Sequence, residues 1–85
     1  MVTFAYIIKD ELGLHARPTG ILVKEARTYQ SKIQLSCNGK TVDATHLLAV
    51  MAMGVKCGNE LVITVEGPDE EETAAKFEAF LKETV

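Results

Sequence analysis

The spacing of apolar and polar positions changes several times along the chain, and each change marks a predicted element. Val2 to Ile8, VTFAYII, is rich in β-branched and aromatic residues and is closed by the polar Lys9-Asp10-Glu11, which predicts a first strand. From Ala16 to about Tyr29 the apolar residues Leu22, Val23, Ala26 and Tyr29 recur at helical spacing, with Lys24, Glu25 and Arg27 on other faces. Ile33, Leu35 and Cys37 then alternate with Lys32, Gln34 and Ser36, and Asn38-Gly39 is the preferred pair for a two-residue type I′ turn. A hairpin over 32–37 and 40–43 follows. The run THLLAVMAMGVKCG suits a short helix stopped near Gly54 or Gly58.

The second half closes the pattern. Glu60 to Glu66 reads as a strand, and PDEEETAAKFEAFLKETV as a capped helix. Asp69 stands three residues before Glu72, as in a capping box, Glu70 and Glu71 favour the positive helix end, and Lys82 favours the negative one. Ala74, Phe77 and Leu81 form its core stripe, flanked by Phe80. The order β-α-β-β-α-β-α gives an α+β chain in which three helices cover one face of a four-stranded, mainly antiparallel sheet. There is no repeat, linker or low-complexity segment.

Composition narrows the function. A chain of 85 residues makes one domain, 1–85. Domains of this size bury only roughly 60–65% of their unfolded surface, so a surface site is expected in place of a deep enclosed one. Hydrophobic content of 47% and charged content of 25% are those of an ordinary globular protein. The formal charge of −3 gives no general attraction to nucleic acid or anionic membrane, so any basic function is local. No basic stretch leads a long apolar segment near the start, and no apolar run approaches the ~20 residues of a membrane span, which points to a cytoplasmic protein without membrane insertion. Cys37 and Cys57 do not form a CxxC and read as reduced structural thiols.

The stretch GLHARPTG, Gly13 to Gly20, carries the candidate chemistry. If the helix begins at Ala16, His15 is its N-cap, and Pro18 falls in the first turn, where it sacrifices no intrahelical bond. The free amides are then those of Ala16, Arg17 and Thr19. A helix start attracts anions through those donors and its dipole, and the planar Arg17 guanidinium suits phosphate oxygens. An imidazole is an effective nucleophile near neutral pH, so His15 could accept a phosphoryl group. The plainer alternative makes His15 a substitute cap and Arg17 a solvated residue, although histidine is not among the favoured caps.

The chain resembles the HPr family, the histidine-containing phosphocarriers of the bacterial phosphoenolpyruvate:sugar phosphotransferase system. LGLHARP matches the family signature as it stands, and the likeness extends over NGKTVDA, LLAVMAMGV and the closing EGPDEEE helix. The resemblance implies an open-faced β-sandwich. It also implies that His15 takes a phosphoryl group on Nδ1 from phosphorylated enzyme I and donates it to an enzyme IIA domain, with Arg17 as the balancing cation and the Ala16 and Arg17 amides holding the phosphate. Such a protein is a stoichiometric carrier more than a turnover enzyme, with no metal or cofactor, and a monomer is expected. A carrier must hold its group loosely, which a shallow site allows.

Helical periodicity alone would bury Leu47, Leu48 and Met51. The resemblance instead makes them an exposed docking patch, with Arg17, Lys24 and Arg27 as a basic rim and small residues at Thr19 and Gly20 for close approach of the partner. The family's regulatory serine at the start of the second helix aligns with His46, so serine phosphorylation there is excluded. Thr45, one residue out of register, reads as a plain N-cap. His46 could be a second phosphoryl acceptor or metal ligand, or an ordinary exposed residue. A regulatory relative that binds a transcription factor or metabolic enzyme is the competing reading, and a small metal- or nucleic-acid-binding domain is a third. His15, Cys37, His46 and Cys57 lack zinc-ligand spacing, and no basic face or aromatic motif is present.

Overall fold

The computed structural model describes residues 1–85. The elements follow the predicted order: β1 (Val2–Ile7), α1 (Ala16–Ala26), β2 (Lys32–Cys37), β3 (Lys40–Asp43), α2 (Leu47–Ala52), β4 (Glu60–Glu66) and α3 (Glu70–Thr84). The four strands form one sheet in the order β1-β4-β2-β3, and every neighbouring pair is antiparallel.

Strand register explains the core. Phe4 and Leu35 both pair with Ile63, Val2 and Ile33 both pair with Val65, and Tyr6 pairs with Leu61. One face of three strands is therefore continuously apolar, and α1 and α3 cover it with Leu22, Val23 and Ala26 and with Ala74, Phe77 and Leu81. Burying a side chain such as Phe77, Leu22 or Leu81, all at 0% exposure, contributes roughly 1.5–3 kcal/mol each. Tyr29 lies just beyond α1, not within it as its period suggested, and meets the Phe77 ring edge-on at 6.3 Å.

Two turns are set by backbone conformation. Asn38 and Gly39 have φ of 53° and 78°, the pair of positive values that a type I′ hairpin turn requires. Gly54, at φ 66°, follows the C-cap of α2 and stops it after six residues.

The expected caps are built differently. Glu72 does not reach back to close a capping box; it pairs with Lys76 at 2.8 Å, one turn ahead, and Glu70 accepts the Gly67 amide at 3.3 Å instead. Asp69 accepts a hydrogen bond from the Ser31 hydroxyl, which together with lesser bonds holds its carboxyl below the usual range. Thr45 is not the cap of α2. Its hydroxyl and amide both donate to Asp43, at 2.6 and 2.8 Å, and His46 occupies the cap with no side-chain bond. Burial would raise the Asp43 carboxyl, but those two bonds together with the nearby His46 and Lys32 side chains lower it. Cys37 is buried and Cys57 exposed, both free, so only the first is a core thiol.

Tyr6 carries the one buried phenol, and its hydroxyl has no hydrogen-bond partner. An unpaired buried hydroxyl costs about 1–3 kcal/mol. Tyr6→Phe is therefore expected to raise the urea midpoint by an amount worth about 1 kcal/mol; a lower midpoint would show that the hydroxyl is satisfied in solution.

Candidate phosphoryl-acceptor site

The site is set by the loop between β1 and α1. Lys9 and Asp10 donate their amides to the Val85 carbonyl oxygen at 2.8 and 2.9 Å, which ties the loop to the end of α3. Asp10 then makes a tight turn: its carbonyl accepts the Gly13 amide and its Oδ1 accepts the Leu12 amide, both at 2.9 Å. Gly13 adopts φ +67°, and a Cβ there would lie 2.5 Å from the Val55 carbonyl oxygen and 2.7 Å from Lys56 Cα. The next amide, Leu14, donates to that same Val55 oxygen at 3.0 Å. Backbone thus touches backbone, and His15 is delivered at the N-cap of α1 with extended geometry, φ −80° and ψ −178°.

The first turn is pinned from inside. Thr19 donates its amide to the His15 carbonyl at 3.1 Å, and its hydroxyl points at the same oxygen (2.7 Å) and more weakly at the Leu14 carbonyl (3.2 Å). Two expectations change here. The Thr19 amide is not a free donor, and Thr19, at 0% exposure, is not a surface contact but an internal brace. Gly20 is half-buried, with open space where its Cβ would be.

What remains free at the helix start are the Ala16 and Arg17 amides, which have no protein acceptor. The His15 side chain makes no capping bond, and the Arg17 side chain, exposed, forms no ion pair. An open cleft of about 220 Å³ is lined by Asp10, His15, Arg17, Pro18, Ile21 and Thr84. An imidazole and a free guanidinium therefore line one shallow space at a helix start with two unpaired amides, an arrangement suited to a small oxyanion attached to the ring.

Beside the cleft lies an apolar surface. Leu48 is 80% exposed, Met51 41% and Leu47 39%, whereas Val50 and Met53 carry the buried side of α2. The expectation from periodicity alone, that these three lie in the core, is overturned: a six-residue helix over one sheet edge buries a narrow stripe only. Ile21, 45% exposed, joins them from α1 and was missed, although its spacing of four from Arg17 places both on one helix face, with Lys24 one turn further. Arg27 is less free than expected, because its Nε and Nη2 donate to the Thr45 carbonyl at 3.2 and 2.9 Å and link α1 to the start of α2. His46 is exposed and lies outside the cleft lining. Asp10, the other missed residue, brings its Oδ2 to 3.9 Å from His15 Nε2.

Comparison with known proteins decides the family. The model described as PTS HPr component phosphorylation site matches residues 2–83. The chain belongs to the HPr family. Among HPr relatives, the phosphocarrier protein HPr of Mycoplasma capricolum is 42% identical over 69 residues, 81% of this chain and 78% of that protein. The structure of a Mycoplasma histidine-containing phosphocarrier protein superposes with a TM-score of 0.92 at 35% identity, covering 98% of this chain and 94% of that one. The Bacillus subtilis catabolite repression protein Crh, an intertwined swapped dimer, matches with a TM-score of 0.75 at 33% identity, covering 100% and 98%. The open antiparallel sheet under three helices is thus the HPr fold.

Gly13 is the residue on which the placement of His15 turns. Gly13→Ala adds left-handed strain and a backbone clash, so we expect a loss of about 2–4 kcal/mol in chemical unfolding, with amide shifts displaced at Leu14 to Arg17. A stability equal to that of the parent chain would contradict the close approach.

Proposed function

We propose that His15 accepts a phosphoryl group on Nδ1 from phosphorylated enzyme I and passes it to an enzyme IIA domain of a sugar phosphotransferase system. The observation that carries this reading is that His15 and the unpaired Arg17 side chain line one open cleft at the start of α1, where the Ala16 and Arg17 amides are unpartnered. Membership of the HPr family supports it.

Nδ1 is bonded to Cγ, as is the oxygen of a capping aspartate, so a group on Nδ1 comes within reach of the first-turn amides. Those amides and the helix dipole stabilise the phosphate oxygens, and Arg17 adds a mobile cation. The cleft is open, so the phosphate keeps much of its hydration and remains transferable. The protein acts as a stoichiometric, monomeric carrier in the cytoplasm without metal or cofactor, and its partners supply the remaining catalytic groups.

Leu47, Leu48 and Met51, with Ile21, form the apolar part of the docking surface for both partners, and Lys24 and Gly20 flank it on the α1 side. Arg27 contributes by holding the start of α2 in place. A second reading, in which phosphorylation serves as a signal to a regulatory partner, draws on the likeness to Crh. The presence of His15 at the start of α1 favours the carrier.

Incubation with phosphoenolpyruvate and enzyme I, followed by intact-mass analysis, is expected to add one acid-labile phosphoryl group that is lost in His15→Ala. Label at His46 in place of His15 would overturn the assignment of the acceptor, and no label from an enzyme I of the same organism would move the regulatory reading to first place. Leu48→Asp places a charge on an 80% exposed position, so we expect folding to be retained and phosphotransfer to fall about tenfold or more. Unchanged transfer kinetics in that variant would remove α2 from the docking surface.

A further inference from the structure

Asp10 is unusually constrained for a loop carboxylate. Its amide is committed to Val85, its carbonyl to Gly13 and its Oδ1 to Leu12, at 2.9 Å in each case. The remaining oxygen, Oδ2, is the one that faces Nε2 of His15 at 3.9 Å, with both side chains about one-third exposed. The carboxylate is fixed by the same turn that delivers the histidine backbone, so the charge stands at a set place beside the ring.

We propose that Asp10 is a positioning residue that holds the His15 ring with Nε2 protonated and turned towards its carboxylate, leaving the lone pair on Nδ1. This rests on the reading of His15 as the phosphoryl acceptor. A neutral imidazole carries one N–H, and either nitrogen can bear it. The separation is longer than a hydrogen bond, so the effect is that of a fixed negative charge on the ring dipole, together with any water that bridges the gap. The positive N–H pole turns to Oδ2, and the nucleophilic lone pair falls on Nδ1, the nitrogen that does not face the carboxylate.

The consequence extends through the transfer cycle. On acceptance, the Nδ1 lone pair forms the bond to phosphorus as the bond from phosphorus to the donor breaks, its electron pair leaving with the donor. The proton stays on Nε2, and the ring becomes cationic beside Asp10. On donation, the nitrogen–phosphorus bond breaks, its electrons return to Nδ1, and a neutral imidazole departs. Neither half needs a proton to move at His15, because the carboxylate stabilises the ring in its charged, phosphorylated form. Arg17, on the same cleft, offsets the repulsion between Asp10 and the phosphate.

The test uses the whole chain labelled with 15N, at about pH 9 where unperturbed imidazoles are neutral. The ring shifts of His15 are compared between the parent and Asp10→Asn, with exposed His46 as the internal reference. Asparagine keeps the acceptor for the Leu12 amide but can present an N–H to Nε2, so we expect the parent ring to be mainly Nε2-protonated and the variant to shift towards Nδ1-protonated, with His46 unmoved. Asp10→Ser, which also offers the turn an acceptor, is the second variant if the first folds poorly.

Phosphoramidate gives a partner-free rate: its own nitrogen–phosphorus bond breaks as the Nδ1 bond forms, and ammonia leaves with a proton from solvent. Loss of one unit charge near the ring in a half-exposed site is expected to slow labelling about tenfold. Equal tautomer populations in parent and variant, or an unchanged labelling rate, would overturn the role of Asp10. Absence of His15 labelling in the parent chain would count against the carrier reading instead, and the tautomer comparison would still decide the role of Asp10.

Discussion

The close contact of Gly13 and Leu14 with Val55 and Lys56 is the constraint on which the site depends. It presses the loop after β1 against the segment that leads into β4, at a distance only a glycine backbone tolerates, and uses one carbonyl, that of Val55, to fix the Leu14 amide. From there the chain can enter α1 in one direction only. His15 is left at the cap with extended backbone, and Thr19, buried beneath, ties its carbonyl into the helix. The reactive side chain is thus mounted on rigid backbone although its own ring stays in solvent reach.

A phosphoryl carrier needs an acceptor that stabilises a dianion without trapping it. The start of α1 has two unpaired amides and a dipole, and the cleft beside it is shallow. The cleft also holds an unpaired cation at Arg17 and a braced anion at Asp10, which faces the imidazole. The exposed apolar side chains Leu47, Leu48 and Met51 lie on α2, and Ile21 on α1 lines the same cleft as the histidine.

Much of this was legible before the fold was known. Element order, the type I′ turn at Asn38-Gly39, the glycine stop at Gly54 and the N-cap position of His15 follow from local rules, because each depends on residues within one or two turns of each other. Failures occurred where a side chain had a choice of partners. Asp69 found Ser31, Glu72 found Lys76 and Thr45 found Asp43, so the two caps predicted from spacing, one a capping box, were replaced by other bonds. Thr19 carries a polar side chain that reads as surface, but two carbonyls turn it inwards. Asp10 escaped notice because nothing in its spacing relates it to His15 until the turn closes.

The sequence by itself determined the secondary structure, the antiparallel α+β architecture and the family, since periodicity, turn chemistry and a specific motif are short-range signals. Only the tertiary structure decided which apolar residues of α2 face solvent, which amides at the start of α1 remain unpaired, and which carboxylate stands beside the imidazole. Those outcomes depend on contacts between segments far apart in the chain: Gly13 with Val55, Asp10 with Val85, Arg27 with Thr45. Pairing across such distances is selected by packing and register, which local spacing does not encode.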